Sequence, residues 1–181
     1  MNEAAADISI RPARSNDAHS IAEIYAFHVK HGTASFDTSP RSAPEVAEKI
    51  ADSAARGWPF LVADQAGRAV GYAYATQFRD RPAYESTCEN SIYIDPTVIG
   101  HGVGTRLLAA LIDASEQAGF RQMIAVVGGA EPASVALHSK LGFREAGRMV
   151  AVGRKHGRWL DTVYLQLALG EGDNAPPSKE P

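Results

Sequence analysis

Glycine occupies every second position of residues 100–104, between a strand-like segment at 91–94 and a helix-like segment whose apolar side recurs at 107, 108, 111 and 112. Glycine lets the backbone approach a ligand closely, and amides at the start of a helix favour an anion. The order of strand, glycine loop and helix therefore predicts an α/β fold in which the loop binds a phosphate group. The same three glycines are equally typical of a structural turn.

The residues around the loop argue against two common phosphate sites. No Lys-Ser or Lys-Thr pair follows the glycines, as a site for a nucleoside triphosphate would require. No acidic residue ends the next predicted strand, as a ribose-binding clamp would require. A different phosphate-bearing ligand is therefore expected.

Periodicity and capping residues predict the remaining elements. Helices are expected after Ser15–Asp17, after a capping box of Ser42 and Glu45, after the glycine loop, and from Pro132. Strands are expected at 8–10, 60–63, 70–75, 91–94, 123–127, 149–152 and 162–169, with a hairpin between the second and the third. These elements predict one domain over 8–169, a flexible N-terminus over 1–7, and a disordered tail over 170–181.

Composition excludes several classes of protein. The 181 residues contain no long apolar run, so no association with a membrane is expected. The net charge is −3 and the cations are scattered, so no nucleic acid is expected as a partner. A single cysteine, Cys88, permits no intrachain disulfide, and the first residues lack the pattern of a signal peptide. A cytoplasmic location is expected.

Three separated motifs together resemble the coenzyme A core of the GNAT acetyltransferases. They are the run Ser91-Ile92-Tyr93-Ile94-Asp95-Pro96, the glycine loop, and Ser134-x-x-Leu137-His138-x-x-Leu141-Gly142-Phe143. Further segments are similar to the phosphinothricin and methionine sulfoximine acetyltransferase branch: Tyr25 through Thr33 to Phe36, Arg81-Pro82-Ala83-Tyr84 with Glu89-Asn90-Ser91, and His156-Gly157-Arg158-Trp159-Leu160-Asp161. The likeness extends over residues 8–169.

The resemblance implies a mixed sheet, splayed in the middle, with about four helices and with acetyl-CoA bound in the split. It implies transfer of an acetyl group to a small amine by direct attack in a ternary complex, and a homodimer. The cofactor-binding residues that it implies are Tyr93, Ile94, Asp95, Gly100, His101, Gly102, Val103, Gly104, Thr105 and Ser134. The strand amide near Ile94 is the implied oxyanion donor.

Two side chains are candidates for proton transfer. Glu89 matches the carboxylate that this branch uses as general base, and strand alternation places it on one face with Ser91 and Tyr93. His138 stands where many GNAT enzymes have a tyrosine that protonates the departing thiolate. An imidazolium could supply that proton at neutral pH, although a histidine packed on a helix face is an equally good interpretation.

Four residues are candidates for binding the acceptor. Arg79 and Arg81 lie in the loop before the strand that carries Glu89, where a guanidinium could bind a substrate carboxylate. Phe36 and Tyr84 could form walls of the pocket for the acceptor. His28 and His31 lack an accompanying cluster of ligands, so no metal is expected.

Two positions depart from the family pattern. Ile99 replaces the basic residue or glutamine that usually opens the loop, and Glu131 replaces an asparagine at the start of the fourth helix. Both changes predict weaker binding of coenzyme A. Two alternatives therefore stay open beside the amino-acid acetyltransferase: a protein or peptide N-terminal acetyltransferase, and a non-catalytic module that binds acyl-CoA.

Overall fold

A seven-stranded mixed sheet organises the computed structural model, which describes residues 8–177. The strands are β1 Ile8–Pro12, β2 Phe60–Gln65, β3 Arg68–Gln77, β4 Thr87–Ile94, β5 Gln122–Gly128, β6 Arg144–Lys155 and β7 Arg158–Ala168. Their order in the sheet is β1-β2-β3-β4-β5-β7-β6. The helices are α1 Ala18–His31, α2 Ala43–Ala55, α3 Val103–Gln117 and α4 Pro132–Lys140. The predicted mixed sheet with four helices is confirmed.

Local sequence explains where the helices begin. The predicted capping box is present at the start of α2. There the Glu45 carboxylate accepts hydrogen bonds from the backbone N–H and the hydroxyl of Ser42, at 2.7 Å and 2.6 Å. Pro132 opens α4, as expected of a residue that lacks an N–H. Glu131 occupies the N-cap of α4 without a side-chain hydrogen bond to the helix, since glutamate is a poor N-cap residue.

The sheet divides between β4 and β5. These strands form the parallel pair of the sheet, and their pairing runs only from Thr87 with Gln122 to Asn90 with Ala125. Beyond that point β4 continues to Ile94 and β5 to Gly128 without pairing to each other. The backbone edges of both strands are therefore open to a ligand, which is the split expected from the resemblance.

Two apolar clusters hold the helices against opposite faces of the sheet. On one face α3 packs through Leu107, Leu108 and Leu111. On the other face α1 and α2 pack through Ile21 and Ile50, among others. Helices therefore cover both faces of the sheet on which β4 and β5 lie.

The ends of the chain are described only in part. The predicted flexible segment 1–7 lies outside the described residues, as do residues 178–181 of the predicted tail. Residues 170–177 form turns, and Arg121 donates a hydrogen bond to the Pro176 carbonyl at 3.0 Å. Within residues 8–177, no helix is long and apolar enough to cross a membrane.

Candidate active site

Two cavities meet at the split in the sheet. The cofactor channel has a volume of about 560 Å³ and is lined by α1, the end of β4, the glycine loop and α4. The acceptor cavity has a volume of about 300 Å³ and is lined by the 34–41 loop, β3, β4, β5 and α4. Both are lined by Ala34, Ile92, Tyr93 and Ser134, so that molecules in the two cavities would meet beside β4.

Backbone conformation makes the glycine loop a suitable anion site. Gly100 and Gly102 have φ values of 86° and 76°, which other L-residues rarely adopt, and Gly102 is the N-cap of α3. Gly104 lies close to α4, since a Cβ there would meet Leu137 at 3.4 Å. The loop therefore directs backbone amides and the positive end of α3 toward one side of the channel.

Most of the predicted cofactor residues line this channel. Those that do are Tyr93, Ile94, Gly100, Gly102, Val103, Gly104, Thr105 and Ser134. Asp95 and His101 are not among the lining residues. Asp95 instead caps the turn before the loop, because its carboxylate accepts hydrogen bonds from the backbone N–H and the hydroxyl of Thr97 at 2.9 Å and 2.7 Å.

The backbone of Ile94 faces the split. The Asp95 N–H donates to the Val70 carbonyl on β3 at 2.9 Å, so the carbonyl of Ile94 in the same peptide unit points away from β3. His28 Nε2 donates to that carbonyl oxygen at 2.8 Å from the opposite side. In an antiparallel pair the N–H and C=O of one residue point to the same side, so the Ile94 N–H also faces the channel.

Glu89 lies in the acceptor cavity, where it can accept a proton. Its side chain is 33% exposed, and Arg79 Nη1 lies 3.8 Å from its carboxylate. Burial raises the pKa of Glu89, and the charges of Arg79 and Lys49 oppose that rise. A carboxylate with a raised pKa is a stronger base than an ordinary glutamate, and it remains ionised once the pH exceeds that pKa.

His138 also lines the acceptor cavity, although its residue is only 2% exposed. Its Nδ1 lies 2.8 Å from the Ser134 carbonyl oxygen, and its Nε2 lies 3.0 Å from Asn90 Oδ1. The Asn90 amide is oriented by its donation to the Ile124 carbonyl at 3.3 Å. Both ring nitrogens therefore face hydrogen-bond acceptors, and an imidazolium, with two N–H groups, can donate to both. Burial lowers the pKa of His138, and the hydrogen bond to Ser134 opposes this effect but is smaller.

The four candidate acceptor-binding residues occupy two different places. Phe36 lines the acceptor cavity, where its ring packs against Gly153 so closely that a Cβ there would overlap it. Arg79, Arg81 and Tyr84 line a separate cavity of about 320 Å³ before β4. Neither arginine is among the residues that line the acceptor cavity, although Arg79 Nη1 lies 3.8 Å from the Glu89 carboxylate.

Several residues that line the acceptor cavity were not predicted from the sequence. Arg41 and Asp37 come from the loop between α1 and α2, and Asn90 comes from the last pair of the β4–β5 ladder. The Tyr25 hydroxyl donates to Asp37. Arg41 follows a proline and precedes the N-cap of α2, so nothing in its local sequence distinguishes it from an ordinary surface arginine.

The two departures from the family pattern both lie on the cofactor channel. Ile99 is 60% exposed at the entrance to the loop. Glu131 accepts a weak hydrogen bond from the Thr33 hydroxyl at 3.4 Å, which joins the start of α4 to the segment after α1. Arg106, a cation on the first turns of α3, donates to the Ile8 carbonyl at 2.6 Å. Binding of a pyrophosphate would therefore rest mainly on backbone amides.

The described part of the chain contains no group of three His, Cys, Asp or Glu side chains arranged to hold a metal ion. The absence of a metal stays a prediction.

Comparison with known proteins agrees with this geometry. Residues 10–164 match the family model of the acetyltransferase (GNAT) domain. The chain is 45% identical over 170 residues to a phosphinothricin N-acetyltransferase of Alcaligenes faecalis, covering 93% of this chain and 86% of that protein. It is 37% identical over 169 residues to an L-methionine sulfoximine/L-methionine sulfone acetyltransferase of Pseudomonas aeruginosa, covering 93% and 98%.

A solved structure gives the same result. The crystal structure of a GNAT superfamily phosphinothricin acetyltransferase from Sinorhizobium meliloti in complex with acetyl-CoA superimposes with a TM-score of 0.92 at 46% identity, covering 95% of this chain and 94% of that one. The agreement covers the whole fold. The chain therefore belongs to the GNAT family of N-acetyltransferases, in the branch of the phosphinothricin and methionine sulfoximine acetyltransferases.

Proposed function

We propose that this enzyme transfers the acetyl group of acetyl-CoA to the amine of a small amino acid of the phosphinothricin or methionine sulfoximine type. The observation that carries the proposal is the meeting of the two cavities at β4, with Glu89 in one and the glycine loop in the other. The substrates of the named relatives support the choice of acceptor. An acceptor cavity of about 300 Å³ matches a small molecule.

The reaction begins with the amine. An amino-acid amine is protonated at neutral pH, and the Glu89 carboxylate accepts its proton directly or through one water molecule. The neutral amine attacks the thioester carbonyl, forming the C–N bond, and the C–S bond then breaks. The Ile94 N–H, which faces the channel, stabilises the oxyanion between these two steps. The nitrogen gives up its second proton to solvent, which leaves the neutral amide.

The departing thiolate takes up a proton. We assign this donation to His138, the second catalytic candidate, because its ring lines the acceptor cavity and its two nitrogens lie 2.8 Å and 3.0 Å from oxygens that can accept the N–H groups of an imidazolium. The proposal needs the imidazole to give up one of these contacts when coenzyme A leaves. The opposing effect of burial on its pKa makes release of that proton easier.

The proposed cofactor contacts divide into two sets. The first is the backbone of Tyr93, Ile94 and Asp95, for the pantetheine arm. The second is the loop from Gly100 to Thr105, including His101 and Val103, with Ser134 from α4. The acceptor contacts are Phe36 together with the more distant Arg79, Arg81 and Tyr84.

A release assay tests the proposal directly. Acetyl-CoA is incubated with the enzyme and each of a panel of amino acids, and free thiol is measured. We expect turnover with methionine sulfone, methionine sulfoximine or phosphinothricin. Activity only on peptides would favour an N-terminal acetyltransferase, and tight binding of coenzyme A without any turnover would favour the binding module, for which Ile99 and Glu131 are the supporting observations.

We also propose that the enzyme is a homodimer. The supporting observation is a group of exposed apolar side chains on β6 and β7: Met149, Val150, Val152 and Trp159. Light scattering during size-exclusion chromatography should give twice the mass of one chain, and Trp159→Glu with Val150→Glu should give the mass of one. The cytoplasmic location stays a prediction.

A further inference from the structure

Arg41 is the one Lys or Arg side chain among the described residues that line the acceptor cavity. Its guanidinium lies over the ring of Tyr25, with 5.2 Å between the guanidinium carbon and the ring centroid. Its Nη2 lies 3.7 Å from an oxygen of Asp37, which is beyond hydrogen-bond distance. Arg41 is therefore held beside the cavity by stacking and by a long ion pair.

The partners of Arg41 leave it able to bind a carboxylate. Asp37 already accepts a hydrogen bond from the Tyr25 hydroxyl. The Tyr74 hydroxyl also interacts with the guanidinium. Neither neighbour forms a bidentate pair with Arg41, so the planar group can still accommodate one, which is the geometry in which guanidinium binds carboxylate best.

Arg41 and the base line the same cavity, and Tyr74 connects their positions in the fold. Tyr74, beside Arg41, pairs with Ser91, and Glu89 precedes Ser91 by two residues on the same face of β4. Tyr74 and Glu89 are therefore diagonal neighbours on adjacent strands, whose backbones lie about 7–8 Å apart at these residues. An amino acid has about 3.5 Å between its amine nitrogen and a carboxylate oxygen. With a hydrogen bond of about 2.9 Å at each end, it spans about 9 Å.

We propose that Arg41 binds the carboxylate of the acceptor while Glu89 faces its amine, so that the enzyme selects amino acids over amines without a carboxylate. This inference rests on the proposed function. Among the described residues that line the acceptor cavity, two have a carboxylate, Asp37 and Glu89, and Arg41 has the one guanidinium.

The experiment compares two acceptors that differ only at the carboxylate, methionine sulfone and its carboxamide. Kinetics are measured for the unmodified enzyme, Arg41→Gln, Arg41→Lys and the control Arg68→Gln, an exposed cation paired with Glu23 at 3.2 Å outside both cavities. For the acid, Arg41→Gln should raise KM by about tenfold or more and change kcat less than about threefold, since charged hydrogen bonds are lost. The KM for the carboxamide should not change.

Two further results complete the expected pattern. Arg41→Lys should lie between the unmodified enzyme and Arg41→Gln, because it keeps the charge and loses the planar fork. Coenzyme A should bind Arg41→Gln with unchanged affinity in calorimetry, which shows that this variant is folded. Arg68→Gln should behave as the unmodified enzyme does.

Two results would overturn the inference. If Arg41→Gln keeps the full preference for the acid over the carboxamide, another residue binds the carboxylate and the proposed function stands. If the unmodified enzyme acetylates neither compound nor any other amino acid, the proposed function fails and the inference fails with it.

Discussion

The cofactor channel and the acceptor cavity share a wall at β4 but are built in different ways. Many of the residues that line the channel belong to one continuous stretch, from the end of β4 through the backbone turns of the glycine loop into α3, and the others come from the segment 28–34 and from the start of α4. The acceptor cavity is formed by residues from α1 and the loop after it, from four strands of the sheet, and from α4. A site made of local backbone is visible in a sequence, whereas a site made of scattered side chains depends on the fold.

The largest effect that this comparison predicts is on the acceptor side. Glu89→Gln keeps the size of the side chain and removes the base, so kcat should fall by about 10²–10³-fold. The affinity for acetyl-CoA should stay within about twofold, because Glu89 lines only the acceptor cavity. Steady-state kinetics and calorimetry measure the two quantities separately. An unchanged kcat would remove Glu89 from the mechanism.

The second effect belongs to the channel and tests the role of backbone. Gly102→Ala places a Cβ at a φ of 76°, which costs about 1–2 kcal/mol, and the loop must shift its amides to relieve that strain. The KM for acetyl-CoA should rise about tenfold, with the acceptor KM unchanged.

A glycine of similar conformation provides the matched control for that variant. Gly57, just after α2, has a φ of 71°, and a Cβ there meets no atom within 4 Å. Gly57→Ala should lower the melting temperature about as much as Gly102→Ala does and leave the KM for acetyl-CoA unchanged. If both variants raise this KM equally, the effect comes from general destabilisation and the backbone site is not supported.

The same contrast explains what the sequence could and could not predict. The glycine loop, the capping box at Ser42 and the helix from Pro132 depend on neighbouring residues, and each was predicted at its observed place. Arg41 and Asn90 face the acceptor cavity only because distant segments meet there. Their positions follow from packing between helices and sheet, which no local pattern encodes.

The outer strands show the same limitation in the fold itself. The predicted strand at 149–152 is the middle of a longer strand, Arg144–Lys155. Its edge position leaves polar residues exposed along both sides, so no alternation marks its ends. Its irregular centre at Ala151 is held by Asp161 of the next strand, which accepts a hydrogen bond from the Ala151 N–H at 2.9 Å. A long-range contact again determines what local sequence leaves open.

The third prediction concerns pH and the cations around Glu89. Glu89 must be ionised to accept a proton, so kcat/KM for the acceptor should rise with pH as the Glu89 carboxyl group loses its proton. Burial raises the pKa of Glu89, which places this acid limb at a higher pH than an ordinary glutamate would give. Arg79 opposes the rise, so Arg79→Gln should move the limb to still higher pH, as a pH–rate profile would show. A shift toward lower pH would mean that another group controls the limb.

The smallest effect tests whether the channel can be improved by a side chain. Ile99 is exposed at the loop entrance, where it offers a pyrophosphate neither charge nor hydrogen bond. Ile99→Arg should lower the dissociation constant of coenzyme A by about two- to fivefold, since an exposed ion pair contributes about 0.2–1 kcal/mol.

Ile99→Gln is the uncharged control. The gain of the arginine variant should shrink as salt rises, because exposed charges are screened, whereas the glutamine variant should respond to salt as the unmodified enzyme does. Equal affinities for all three proteins would mean that the amides of the loop already hold the pyrophosphate where a side chain at position 99 does not reach it.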